Sequence, residues 1–518
     1  MAKRFLEGMK VLDFTIVIAG PFISRMMSAY GAEVLKIESR SHPEIFRTFG
    51  PYRDDHPAPF NPWYNRGGAF GVFNTGKLSL ALNLMHPRGV EIAKQLVAWA
   101  DIVLENFAGG ILKRMGLGYE ELTKVKPDII MLSSCMQGQT GPHAKHPGYG
   151  TQLVNLAGFS NISGWPDREP ATIGAYTDFI APRFSLLAIL AAVDYRRRTG
   201  QGQYIDLSQY EAGIHLMSPL ILDNEVNHRV ATRMGNRTAY AAPHGAYPCR
   251  DRHQDRWCAI GVYTDEEWQS FCKVLGSPPW TKDARFSTLR ARRENEAELN
   301  RRIEEWTVNL LPEDVVQRMQ EVDVPVPVAI LHTGRELEEH TPPVKRRSPY
   351  TVPHGAYRCR WEDRWCVIAV YTDEEWLSFG RAIGSPPWAK EPRFATLAGR
   401  KEHEDELDPL VAAWTVNHTP EEVMSLMQAA RVAAGVVATG EDVMDRDPQL
   451  KHRRVFRELD HPEIGKYHGI VPAFDLSKCP AEIERAPLLG EHNDYALKNI
   501  LGMSDEEVEE LIREGIVE

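Results

Sequence analysis

"MKVLDFTIVIAGPFISRMMSAYGAEVLKIES" (Met9–Ser39) begins with one short β-rich run, "MKVLDFT" (Met9–Thr15), and ends in a second, "AEVLKIE" (Ala32–Glu38). Between them "VIAGPF" (Val17–Phe22) has the look of a βα turn that meets a ligand, placed between a strand and a helix. Four more runs of the same kind follow: "LSLALNL" (Leu78–Leu84), "DIVLEN" (Asp101–Asn106), "DIIMLSS" (Asp128–Ser134) and "QYIDLS" (Gln203–Ser208). Helical stretches such as "PRGVEIAKQLVAWA" (Pro87–Ala100) separate several of them. This alternation predicts an α/β region over residues 1–225, with an open, mostly parallel, doubly wound (Rossmann-like) sheet.

At 518 residues the chain exceeds one ordinary core, and roughly three domains are expected. Apolar content of 43% with 25% charged residues is that of a globular protein and excludes a disordered or fibrous one. The net charge of −11 speaks against a nucleic-acid partner, and "RRR" (Arg196–Arg198) and "KRR" (Lys345–Arg347) read as solvated faces. The first residues lack the apolar core of a signal peptide, and the longest apolar run, "FSLLAILAAV" (Phe184–Val193), falls short of a membrane span. Seven scattered cysteines without a C-x-x-C read as reduced core thiols, which places the protein in the cytoplasm.

One passage is written twice. "VYTDEEWQSFCKVLGSPPWTKDARFSTL" (Val262–Leu289) returns as "VYTDEEWLSFGRAIGSPPWAKEPRFATL" (Val370–Leu397), and "APHGAYPCR" (Ala242–Arg250) returns as "VPHGAYRCR" (Val352–Arg360). The Pro-rich, charged "EEHTPPVKRRSP" joins the two units. Two copies are too few for a solenoid, so the pattern is a tandem domain duplication. Beyond it, "HPEIGKYHGIVPAF" predicts a strand pair, and "SDEEVEELIREG" (Ser504–Gly515) a helix with a Ser-x-x-Glu capping box.

Asp178 stands directly before an apolar run that predicts a buried helix. At a helix N-terminus its charge is favoured by amides and dipole, which keeps it ionised for chemistry; a plain cap explains it equally well. Asp265 and Asp373, both in "YTDEEW", are expected to start surface helices. Lys36, Lys77 and Arg114 sit at strand and helix boundaries where a phosphate could meet them, although surface charges are commoner. "VIAGPF" lacks both G-x-G-x-x-G and the Walker lysine. No histidine spacing predicts a metal, no G-x-S-x-G occurs, and Cys135 has no evident base.

The Met9–Ser39 stretch, "FNTGKLSLALNL", "DIVLENFAGGILKRMGLGYEEL", "RRRTGQGQYIDLSQYEA", "DHPEIG" and "APLLGEH" together strongly resemble the family III CoA-transferases, the CaiB/BaiF family. The resemblance covers the whole chain. It implies a large domain from residues 1–235 and 435–518, with small α+β domains at 236–345 and 346–434, where members ordinarily have one. It further implies an interlocked homodimer that moves CoA from an acyl-CoA thioester to a free carboxylic acid. It implies, too, that CoA is a substrate and that no cofactor is permanently bound.

In that family the nucleophile is an aspartate before the buried helix, a place that Asp178 alone fills. It forms a mixed anhydride and then an aspartyl-CoA thioester. Asn74 and Lys77 of "FNTGK", Asn106 and Phe107 of "ENF", Arg114 of "KRMG", and less firmly Lys36 match the CoA-contacting positions. The chain departs from the pattern at Ile18, where some members carry glutamine, and at Ala108, where arginine is common. Pro182 replaces a frequent glycine, so the helix is expected to begin at Pro182 with Asp178 just outside it. Tyr149 replaces the histidine of the related acyl-CoA racemases, which disfavours racemisation, the first alternative; a non-catalytic CoA-binding subunit is the second. The first small-domain copy keeps "RMGN" (Arg233–Asn236) upstream and is expected to help line the acyl pocket, leaving the second, with "RRSP", as an extra lobe. Ile18, Phe179 and Phe184 suggest a bulky apolar acyl group.

Overall fold

The computed structural model describes residues 4–51, 65–146, 148–171, 173–250, 256–320, 328–332, 351–474 and 476–518. The "EEHTPPVKRRSP" linker, with its "KRR" run and "RRSP", lies outside the described residues. Two compact units emerge, one of residues 1–233 with 443–518 and one of residues 234–442.

In the first unit all six predicted β-rich runs are strands: β1 (Lys10–Asp13), β2 (Glu33–Glu38), β3 (Leu78–Ala81), β4 (Ile102–Glu105), β5 (Ile130–Cys135) and β6 (Tyr204–Ser208). They form one parallel sheet in the order β3-β2-β1-β4-β5-β6. Successive side chains leave a strand on opposite faces. Leu12, Leu35, Leu80, Val103 and Met131 therefore join helix residues Ile92, Leu96 and Val97 in one core. Val11, Val34, Ile102, Leu104, Ile130 and Leu132 meet Ile23, Met27, Ile189 and Val193 in the other. Helices α1 (Ala19–Ala29) and α2 (Pro87–Trp99) thus cover opposite faces, the doubly wound arrangement that the alternation predicts.

The C-terminal segment closes the β3 edge. Ser79 N–H donates to His492 Nδ1 (3.2 Å), Ala81 N–H to Asn493 Oδ1 (2.9 Å), and Leu82 bridges to Val517. An edge strand left open would invite pairing with another chain. The terminal helix Asp505–Arg513 carries the expected capping box at Ser504. The predicted strand pair is a hairpin of Phe456–His461 and Gly465–Ile470, so its first strand lies upstream of the stretch read as a pair.

Helix α3 (Gly150–Leu156) precedes α4, which runs from Tyr176 to Thr199 with Pro182 inside it. This corrects the expectation that the helix starts at Pro182: Asp178 lies in its first turn. Nor is α4 buried all round. Ile180, Ser185, Ile189 and Val193 face the core, whereas Leu187 is 68% exposed. It is the one helix among the described residues with the length and apolarity to cross a membrane. Helices α5 (Gln209–Leu216) and α6 (Ser218–Asn227) follow β6. Arg196 of "RRR" is tied to Asp101 at 3.0 Å and is not a free surface charge; Arg197 and Arg198 are exposed.

In the second unit the repeats build matching three-stranded antiparallel sheets. One comprises β7 (His244–Pro248), β8 (Arg256–Gly261) and β9 (Val328–His332); the other comprises β10 (His354–Arg358), β11 (Trp365–Ala369) and β12 (Ala433–Val436). Helices α7 (Asp265–Val274) and α8 (Asp373–Ala382) start where "YTDEEW" predicts, capped by Thr264 and Thr372. Asp265 and Asp373 pair at 3.0 Å with the buried guanidiniums of Arg292 and Arg400, a structural duty in both copies. Cys249 and Cys258, like Cys359 and Cys366, are thiols outside any disulfide, buried at equivalent places.

Glu38, ending β2, is buried and receives two hydrogen bonds from the buried Arg47, at 2.9 and 2.6 Å. Arg47 also donates to the Pro487 carbonyl (3.2 Å), linking strand and C-terminal segment. Arg47→Met would strand the Glu38 charge inside. It is expected to lower the unfolding free energy by about 3–5 kcal/mol in chemical denaturation.

Candidate active site

Three strands end in a buried acid: Asp13 on β1, Glu38 on β2 and Glu105 on β4. In an open parallel sheet ligands bind beyond the carboxyl ends of the strands, where the strand order reverses. Here that place lies between β1 and β4.

Asp13 is the hub. Its carboxylate accepts from Thr15 N–H (2.8 Å), Ser24 Oγ (2.6 Å) and Lys77 Nζ (3.0 Å). Burial alone would raise the Asp13 carboxyl, but Lys77 and Lys36, with the Ser24 and Thr15 hydroxyls, hold it below the usual range. Lys77 is pulled down to about 8 by its burial, against the attraction of Asp13. Its three donors all meet protein acceptors: Asp13, the Pro21 carbonyl (3.1 Å) and Asn74 Oδ1 (2.9 Å).

The βα turn is set on this hub. Val17 has φ +68°, a strained value for a β-branched residue, and its N–H donates to both oxygens of Glu44 (3.0 and 3.1 Å). Lys36 faces Glu44 at 3.6 Å and donates to the Thr15 carbonyl. Asn106, just after β4, exchanges two hydrogen bonds with the backbone of Ile16, at 2.8 and 2.9 Å, and so clamps the two sides of the reversal together. Gly20 packs against Thr15 and Asn106 so closely that a Cβ there would lie 2.3 Å from the Thr15 side chain.

Above this floor is a cavity of about 430 Å³ walled by Val17, Lys36, Glu44, Phe107, Ile111 and Tyr149. The residue after Tyr149 is Gly150, and a Cβ on it would lie 2.7 Å from the Asp178 carboxyl. Only a glycine leaves room for that carboxyl next to Tyr149. Asp178 is 9% exposed and, among the described residues, its carboxyl has no hydrogen-bond or ion-pair partner. Burial pushes it up to about 6. This overturns the expectation that the helix terminus keeps its charge stable, since Asp178 caps nothing and desolvation prevails. Pro182 has no N–H to give the Asp178 carbonyl, which therefore lacks its usual helical partner.

The predicted residues separate into layers. Lys36, Asn74 and Lys77 lie buried around Asp13, Asn106 clamps Ile16, Phe107 stands at the cavity, and exposed Arg114 ends the short helix 111–114 apart from them. Ile18 lies just before α1, Phe179 is exposed, and Phe184 stacks on His215 at 5.5 Å. Glu44, Glu105, Gln139 and Gly150 escape the sequence reading. The only local signal among them is an acid closing an apolar run, as in "IVLE". No group of three or more metal-ligating side chains occurs among the described residues.

The profile of CoA-transferase family III matches residues 6–330 and again 328–493. The chain belongs to family III of the CoA-transferases. The double match mirrors the internal repeat. The succinyl-CoA:glutarate CoA-transferase of Mus musculus is 31% identical over 516 residues, 99% of this chain and 90% of that protein. The succinyl-CoA–D-citramalate CoA-transferase of Chloroflexus aurantiacus is 33% identical over 335 residues, 64% of this chain and 80% of that one. An acetyl-CoA:oxalate CoA-transferase of Acetobacter aceti is 32% identical over 286 residues, 55% of this chain and 70% of its own. A crystal structure of a CaiB/BaiF family protein from Brucella suis superposes with a TM-score of 0.56 at 24% identity, covering 96% of this chain and 100% of that one. The family III protein is thus a CoA-transferase built on the expected fold.

Because folding raises the Asp178 carboxyl from 3.8 to about 6, its contribution to stability is full below about pH 4 and is lost as pH rises through about 6. Asp178→Asn is expected to raise the unfolding free energy by about 1–3 kcal/mol near pH 8 and to leave it unchanged near pH 4. Denaturation at the two pH values checks both the sign and the window.

Proposed function

We propose that Asp178 is the nucleophile of CoA transfer between an acyl-CoA thioester and a free carboxylic acid. The observation that carries the reading is a buried carboxyl without a partner among the described residues, set against Gly150, whose neighbour Tyr149 walls the cavity. A largely buried carboxyl that no protein donor holds calls for an explanation, and a reacting carbonyl supplies one.

The steps balance as two exchanges. An Asp178 oxygen attacks the thioester carbonyl, the C–S bond breaks, and CoA leaves as a thiolate from a mixed anhydride. The thiolate attacks the aspartyl carbonyl, giving an aspartyl-CoA thioester and the donor's carboxylate. The acceptor carboxylate attacks that thioester and expels CoA thiolate, which then takes the acceptor acyl group and frees Asp178. With a value near 6, Asp178 is largely ionised at neutral pH and weakly solvated, both of which favour attack. The exchange requires no resident cofactor, because CoA arrives as a substrate.

For CoA, Phe107 at the cavity and exposed Arg114 are the direct contacts in this reading, an aromatic for adenine and a cation for phosphate. Asn74, Lys77, Asn106 and Lys36 hold the floor on which it rests. Exposed Leu187 and Leu190 of α4, with Leu222 and Val226 of α6, suit burial in a homodimer. The matching sheets support reading 236–345 and 346–434 as a duplicated small domain between the two parts of the large one. Reduced thiols favour a cytoplasmic setting.

Succinyl-CoA, named in two of the relatives, is the donor to assay first, with a panel of carboxylic acids. Asp178→Ala is expected to lower transfer about a thousandfold or more, and hydroxylamine during turnover to mark Asp178 alone. Gly150→Ala should lower turnover by crowding the carboxyl, with the unfolding midpoint retained. Undiminished transfer by Asp178→Ala would sink the nucleophile assignment, and α-proton exchange without transfer would favour a racemase.

A further inference from the structure

Glu105 differs from the other two strand-end acids. Asp13 has Lys77 and Glu38 has Arg47, but among the described residues Glu105 has no cation: two amides donate to its carboxylate, with the Ser133 hydroxyl beside it. Phe107 N–H donates to Oε2 (2.8 Å), and the Gln139 side-chain amide donates to Oε1 (3.0 Å). The Gln139 side-chain carbonyl accepts in turn from Gly110 N–H (2.9 Å), while Gln139 N–H is held by Asp206 of β6 (2.9 and 3.1 Å). Glu105 and Gln139 thus span the turn 107–110 from one backbone N–H to another, and Phe107 of that turn forms part of the cavity wall.

The pattern admits little else. Both ends of the chain are donors. Two side chains between two donors are satisfied only if one is a pure acceptor and the other both gives and receives. A carboxylate and an amide meet that condition in either order. Two amides leave a donor facing a donor, and two carboxylates leave charge facing charge.

We infer that Glu105 and Gln139 are positioning residues, a carboxylate–amide clasp that fixes the 107–110 turn for CoA. The inference rests on the reading above that Phe107 meets CoA. Burial pushes the Glu105 carboxyl up to about 7, against the Ser133 hydroxyl and the Phe107 amide and with help from the Asp206 charge. A buried acid without a cation is retained at a cost that a purely structural hydrogen bond does not demand.

The test is a reciprocal swap in the full chain: Glu105→Gln, Gln139→Glu, and the double variant Glu105→Gln/Gln139→Glu. Hydrogen exchange of the 107–111 amides in the free protein and steady-state kinetics with acyl-CoA are the two measurements. Each single variant should lose amide protection and raise KM for acyl-CoA about tenfold or more, with kcat within about threefold; the swap should restore both to within about threefold. A swap as impaired as the worse single variant, or single variants that behave like wild type, would overturn the clasp. Protection lost and regained with KM unmoved would overturn the assignment of this turn to CoA, independently of the Asp178 result. If Glu105→Gln does not fold, half-buried Gln139→Ala should give the same rise in KM, and an unchanged KM would overturn the inference.

Discussion

The pairing of Asp13 with Lys77 is the constraint on which the rest of the floor depends. Both side chains are fully withdrawn from water, and neither charge could remain there alone. Once they meet, what surrounds them is largely decided. Asn74 and the Pro21 carbonyl take the other two ammonium protons, and the Ser24 hydroxyl ties the first helix to the first strand. Thr15 turns its N–H back to Asp13, which leaves its carbonyl for Lys36. The strained conformation at Val17 is then held from outside by Glu44, whose charge Lys36 balances. Segments 64 residues apart in sequence become one rigid surface because a buried charge allows few alternatives.

The acids of this unit show how environment assigns work to one chemical group. Asp13 and Glu38 have cations and stay ionised as structural anchors. Among the described residues the Asp178 carboxyl has neither a cation nor a hydrogen bond, and burial raises it to about 6. The difference lies entirely in partners, since all three are withdrawn from solvent.

Much of the scaffold was legible because it depends on local rules. Short β-rich runs between helical stretches mark all six strands, Thr264, Thr372 and Ser504 cap helices where their side chains can reach back, and the repeated passage announces two like cores. What failed depends on distance. The α4 sequence is apolar on nearly every side, so periodicity could not tell that Leu187 faces out while Ile189 faces in. A lysine at a strand boundary reads the same whether it awaits a phosphate or an aspartate 64 residues away, as Lys77 does. Asp178 was located through family motifs, but its raised value follows from packing against Gly150, which no local pattern encodes. Glu105 and Gln139, 34 residues apart, become partners only once β4 and β5 lie side by side.

The duplication sets the chain a problem of self-discrimination during folding. Two adjacent stretches of nearly the same sequence each need a third strand, and either could accept the other's. The first two strands of each copy offer little to tell them apart, since "HGAY" recurs in both. The third strands do differ: "VAILH" completes one sheet and "AAGV" the other. In register, Val328 to Ile330 stand opposite Ile260 to Cys258, and Ala434 to Val436 opposite Ile368 to Cys366, so the matched positions carry different residues in the two copies. The tyrosine pairs diverge as well, with Asn300 receiving Tyr247 where Asp408 receives Tyr357, both at 2.7 Å. Correct assembly is therefore carried by the few positions where the copies have drifted, and each such difference acts as an address label for its own half.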